Sequence, residues 1–172
     1  MSASLDITDG TGRVPASVME FLTRHVMAAF ERLGGAGAVR VRVVDDEEMA
    51  RAHEEFAGVP GTTDVLTFDL SDPEEHRPQR PSIADVQSGN VRNIYGFDSD
   101  ILICLDEAER QAGQRGYPFE RELLLYIVHG MLHCLGFDDH DDRDFAEMHA
   151  MEDALLGAIG VGAVFHRPRE AG

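Results

Sequence analysis

Residues 119–136 read FERELLLYIVHGMLHCLG, and the fold turns on how this stretch is read. Apolar side chains run almost without a break from Leu123 to Leu135, Pro118 just ahead suits a first helical turn, and Gly136 supplies the stop. The pattern predicts a helix buried on most of its sides. Four residues of helix turn the chain by about 400°, so His129 and His133 emerge on one face, a turn apart. Two imidazoles placed this way can converge on a single ion.

Upstream, SLDIT (4–8) has the length of a short strand. After Pro15, the apolar positions Val18, Phe21, Leu22, Val26, Ala29, Phe30 and Leu33 recur at helical spacing until Gly34-Gly35. AVRVRVV (38–44) alternates valine with arginine, as a strand with one wetter face near a sheet edge does. DDEEMARAHEEF then opens with acids suited to a helix N-terminus and sets Met49, Ala52 and Phe56 along one side. TTDVLTFDL and DILICL read as strands, and DEAERQAGQRG as a helix.

Residues 71–81, SDPEEHRPQRP, read as an exposed loop, and Ile83, Val86 and Ile94-Tyr95 as an irregular hairpin around Ser88-Gly89-Asn90. The last segment, DFAEMHAMEDALLGAIG, turns Phe145, Met148, Leu155 and Ile159 inward. The 172 residues suffice for one core without staples, so residues 1–172 are read as a single α/β (α+β) domain of four to six helices.

With 32 acidic against 15 basic residues, the net charge of −17 offers no long-range attraction to a polyanion. Cys104 and Cys134 lie in apolar surroundings and read as buried thiols in a reducing compartment. The start, MSASLDITDGTG, has no basic or apolar targeting region, and nowhere do 18 apolar residues run together. A cytoplasmic protein without membrane spans is expected.

Two histidines do not complete a zinc site, which needs a third protein donor when catalytic. Gly136 lets the chain leave the helix sharply and swing back, and Asp139 or His140 supplies that donor. Asp138 and Asp139 are the candidate catalytic proton carriers beside an ion that activates water. Zinc peptidases of the H-E-x-x-H type carry their base directly after the first histidine. Here that place is Gly130, which weakens a metallopeptidase reading.

With these residues in view, the chain resembles the bacterial YbeY family of metal-dependent endoribonucleases. His129, Gly130, Leu132, His133, Gly136 and Phe137 follow the family pattern H-G-x-L-H-L-x-G-Y-D-H in order. TTDVLTF (62–68) is similar to its T-D-V-L-S-F segment, SDILICLDEA (99–108) to its G-D-I-x-I segment, and Met148 fits its terminal helix. The resemblance is strongest over 38–160. It implies a mixed β-sheet packed against helices, with one Zn(2+) per chain held by three histidines, and no organic cofactor. The implied activity is single-strand-selective endoribonuclease cleavage in ribosomal RNA maturation and ribosome quality control, with ribosomal RNA and ribosomal or assembly proteins as partners. A non-catalytic metal-binding assembly factor is the alternative from another class.

This chain departs from the pattern in several places. The sixth residue after His133 is Asp139, and the histidine follows at His140. We take His140 as the third metal ligand beside His129 and His133, because a loop past a helix-ending glycine absorbs an insertion readily; Asp139 in a register-preserving set is the alternative. Ala57 stands where the family has an arginine, with Arg51, Arg77 and Arg80 as compensating candidates, and His53 replaces an asparagine. Thr67 and Ser99 replace serine and glycine. Asp64 and Asp100 match family positions and are read as turn and strand-start residues or ligand orienters; His25 and His149 are not read as ligands.

Overall fold

The computed structural model describes residues 2–75, 79–93 and 95–162. In chain order the elements are β1 (Ala3–Asp9), α1 (Ala16–Arg32), β2 (Gly37–Val44), α2 (Asp46–Ala57), β3 (Val65–Asp69), α3 (Ile83–Ser88), β4 (Phe97–Cys104), α4 (Leu105–Arg115), α5 (Phe119–Cys134) and α6 (Asp142–Ala158). The four strands form one sheet in the order β1-β2-β4-β3. β1, β2 and β4 run parallel, and β3 is antiparallel to β4 at the edge. The sheet is therefore mixed, as the resemblance implies.

One face of the sheet presents Val39, Val41, Val43, Phe97, Ile101 and Ile103 to α1 and α5, and this is the main core. α5 supplies Leu123, Leu124, Ile127, Val128, Met131 and Leu132, all fully buried. A smaller cluster of Val44, Met49 and Cys104 lies where α2 covers the opposite face. Both cysteines are buried and form no disulfide, and burial pushes their thiols up to about 11 for Cys104 and about 12 for Cys134.

β2 is an inner strand, not one near an edge, because β1 pairs along its far side. Its arginines are tolerated there because Arg40 donates to Asp98 and Asp100 on β4, while Arg42 pairs with Glu48. Asp100 is thus committed to the sheet's polar face. The expected hairpin at 82–98 is instead the short helix α3. Ser82 caps it by accepting from Asp85 N, Val86 anchors it in the core, and Gly89 ends it; Ile94 lies outside the described residues. Phe56 is exposed rather than inward and meets Phe68 edge-on at 5.0 Å.

α5 crosses the sheet at Gly130. A Cβ there would lie 2.7 Å from Thr67 Oγ1 and 3.1 Å from Ile101 Cδ1, so the helix approaches β3 and β4 this closely only without a side chain. The position after His129 therefore faces the sheet. Substituting Gly130→Ala is expected to lower stability to urea by about 1–3 kcal/mol through overpacking. Adding Thr67→Ala should recover part of that loss, and a strictly additive double variant would show that the two sites are not in contact.

Candidate metal centre

His129 and His133 come from the last turns of α5, and their rings meet edge-on with Nε2 atoms 2.9 Å apart. Each ring is fixed through its other nitrogen. His133 Nδ1 donates to the Phe137 carbonyl at 3.0 Å, and His129 Nδ1 contacts Glu152 Oε1 on α6 at 2.6 Å. A carbonyl can only accept, so His133 Nδ1 carries the proton and its Nε2 presents a lone pair. Glu152 imposes the same tautomer on His129.

The turn after α5 is built by Gly136, at φ +94°, with Phe137 N donating to Leu132 O and Gly136 N to His133 O. Asp141 ends the turn by capping α6, its side chain accepting from Asp144 N at 2.7 Å. Between these fixed points the chain brings Asp139 to His129 Nε2 at 3.4 Å and to His133 Nε2 at 3.9 Å. One ligand atom from each of His129, His133 and Asp139 lies within 4.8 Å of the others. The sequence reading favours His140 in this place. His140 is instead 84 % exposed and pairs with Asp138 at 3.3 Å; Asp138, Asp139 and His140 form a second, more exposed group with ligand atoms within 4.8 Å of one another.

Two imidazole lone pairs and a carboxylate oxygen facing one point repel one another unless a cation or proton lies between them. The donor set is one that zinc accepts, so the residues present fit a bound metal ion. Burial opposes protonating His129, but the Glu152 hydrogen bond and charge outweigh it and raise its pKa. Burial and the neighbouring His129 lower that of His133. Glu152 is 1 % exposed; burial favours its neutral form, but hydrogen bonds to His129 and His149 hold its pKa below the ordinary value.

Other residues read from the sequence take different places. Asp138 accepts from Asp139 N at 2.7 Å. Asp64 accepts from Val65 N at the start of β3 and lines the cavities on both sides of the site. Arg80 braces the metal turn from outside, bonding Gly136 O at 2.8 Å and Glu147 at 3.1 Å with its guanidinium over Phe137. Arg51 pairs with Glu47 on α2, His53 contacts Gly61 O, and Arg77 lies outside the described residues. Glu152 was not legible as a site residue, its one signal being a carboxylate amid the inward positions of α6; Arg80, read as a substitute for the missing arginine, instead bonds the turn that carries Asp139.

Cavities of about 490 and 450 Å³ flank the site and share Thr63, Asp64, Val65, His129 and Asp139. The fold and site define a mixed α/β domain with a His-His-Asp cluster able to coordinate a metal in an open cleft beside an edge strand. The model of the family described as Endoribonuclease YbeY matches residues 6–160, and the chain belongs to that family. The endoribonuclease YbeY of Bacillus licheniformis is 32% identical over 163 residues, covering 94% of this chain and 98% of that protein. The Micrococcus luteus relative is 31% identical over 157 residues, 91% and 92% of the two chains. A Thermotoga maritima protein of known solution structure aligns at a TM-score of 0.52 and 25% identity, over 91% of this chain and 90% of that one. Among the described residues no helix is long and apolar enough to cross a membrane.

Glu152 acts on the site by orienting His129. Replacing it with alanine is expected to weaken zinc binding, measured by competition with a chelator, by about 10–100-fold. Unchanged affinity would show that His129 is held without it.

Proposed function

We propose that this chain is a zinc-dependent, single-strand-selective endoribonuclease that acts in the cytoplasm on ribosomal RNA, in its maturation and in ribosome quality control. The observation that carries the reading is the convergence of His129 Nε2, His133 Nε2 and the Asp139 carboxylate between two open cavities, in a chain of this family. We take Asp139 as the third ligand in place of His140. Its distances to both rings support this choice, as does the high exposure of His140.

A zinc ion at this place supplies Lewis-acid polarisation of a phosphoryl oxygen and eases ionisation of water near neutral pH. Asp139, assigned to the ion, leaves Asp138 as the proton carrier. Its carboxylate lies within 4.8 Å of a ligand atom of Asp139 and can take a proton from the attacking hydroxyl. Glu152 and the Phe137 carbonyl keep both imidazoles in the binding tautomer throughout. A glutamate at position 130 would meet Thr67 and Ile101, so the base of an H-E-x-x-H peptidase has no counterpart here.

Among the described residues the only arginine lining either cavity is Arg115. With a net charge of −17, affinity for naked RNA is weak, and ribosomal or assembly proteins contribute to docking.

Zinc content and cleavage of single-stranded ribosomal RNA test the assignment together. Asp139→Ala is expected to lose more than ~100-fold in zinc affinity, beyond the ~10–100-fold typical of an outer-shell partner, and to lose cleavage with it. His140→Ala should retain both. The reverse pattern would return the third ligand to His140. Full ribosome maturation by a metal-free His129→Ala, His133→Ala variant would show a non-catalytic assembly factor.

A further inference from the structure

Glu152 holds two imidazoles, only one of which belongs to the metal cluster. Its Oε1 accepts from His129 Nδ1 at 2.6 Å, and its Oε2 lies 2.9 Å from Nδ1 of His149. Hydrogen bonds to both rings keep its pKa below the ordinary value, and an ionised carboxylate can only accept. His149 Nδ1 therefore carries a proton, and it is Nε2 that can exchange one with a ligand. Phe145, one turn earlier on α6, meets the His149 ring edge-on at 4.0 Å and fixes its plane. The His149 side chain is 25 % exposed and lines the larger cavity together with His129 and Asp139.

Breaking a phosphodiester bond moves two protons: one is removed from the attacking hydroxyl, and one is given to the leaving ribose oxygen. Asp138 serves the first, and the leaving oxygen needs a donor of its own. Among the described residues that line either cavity, His149 is the only imidazole outside the metal pair. Arg115 pairs with Glu122, and a guanidinium does not give up its proton. A carboxylate behind Nδ1 is the arrangement that orients a histidine and stabilises its cationic form for proton transfer. His149 has that carboxylate on one side and the cavity that reaches the metal cluster alongside.

We propose that His149 is the general acid of the cleavage, donating its Nε2 proton to the leaving ribose oxygen while Glu152 orients the ring. The proposal rests on the ribonuclease reading. As the attacking oxygen bonds to phosphorus and gives its proton to Asp138, the bond from phosphorus to the leaving oxygen breaks. The electron pair stays on that oxygen, which takes the His149 proton and departs as a hydroxyl. Asp138 then loses its proton to solvent and His149 regains one, which restores both groups. One buried carboxylate thus serves binding and chemistry, fixing His129 with one oxygen and His149 with the other.

His149→Asn in the zinc-loaded full chain tests this, because the asparagine amide nitrogen can take the place of Nδ1 at Glu152 while the distal nitrogen is removed. Two single-stranded RNAs are compared, one natural and one with sulfur in place of the bridging oxygen that the product ends show to leave. A thiolate departs without being protonated, so the second RNA needs no acid. The variant is expected to lose about 10²–10⁴-fold in kcat on the natural RNA, and to stay within about threefold of the unaltered protein on the sulfur RNA. Zinc affinity, measured by competition with a chelator, should not change. A loss of equal size on both RNAs, no loss on the natural one, or a loss that follows zinc affinity overturns the assignment. His149→Gln, measured in the same way, serves if the asparagine variant does not fold. Cleavage of neither RNA by the unaltered protein would remove the ribonuclease reading and the assignment with it; natural-RNA cleavage kept intact in the variants would remove the assignment alone.

Discussion

Two imidazole lone pairs held 2.9 Å apart are the constraint around which the functional half of this molecule is arranged. Each ring has its Nδ1 proton committed, one to a backbone carbonyl and one to a buried carboxylate, so neither can turn away. The nearby Asp139 carboxylate adds a third acceptor. Acceptors gathered without a donor are unfavourable alone and become favourable around a cation, which is how a protein stores affinity for a metal in its fold.

The fold supplies each element of this arrangement. Gly130 lets α5 lie close on β3 and β4, so the two histidines emerge beside the edge strand instead of above the sheet. Gly136 reverses the chain and turns the Phe137 carbonyl back to His133, while the Asp141 cap restarts the helix soon enough to keep Asp139 near both rings. α6 carries Glu152 into the core at His129. That burial is tolerated because His129 and His149 both bond its carboxylate, at 2.6 and 2.9 Å. Outside, Arg80 crosses from its loop to Gly136 and Glu147 and holds the same turn from the solvent side.

Much of this was legible in the sequence. The apolar run of α5, the helical spacing in α1 and the histidine pair each record a single element's own periodicity, which local pattern reports well. What escaped depended on contacts between distant elements. β2 looked like an edge strand because arginines alternate in it, and only the pairing with β1 and the acids of β4 makes it an inner one. The choice between Asp139 and His140 rests on the geometry of a seven-residue turn, which has no periodicity for local pattern to report. The ties between Glu152 and His129, 23 positions apart, and between Arg80 and Gly136, 56 apart, have no local signature.

Anomalous diffraction at the zinc edge from crystals of the zinc-loaded protein tests the central claim most directly. The account predicts one peak per chain, ~2.0–2.2 Å from His129 Nε2, His133 Nε2 and an Asp139 oxygen, with Glu152 still bonded to His129. A peak ligated by His140 in place of Asp139, or one that does not touch both rings of α5, would contradict it.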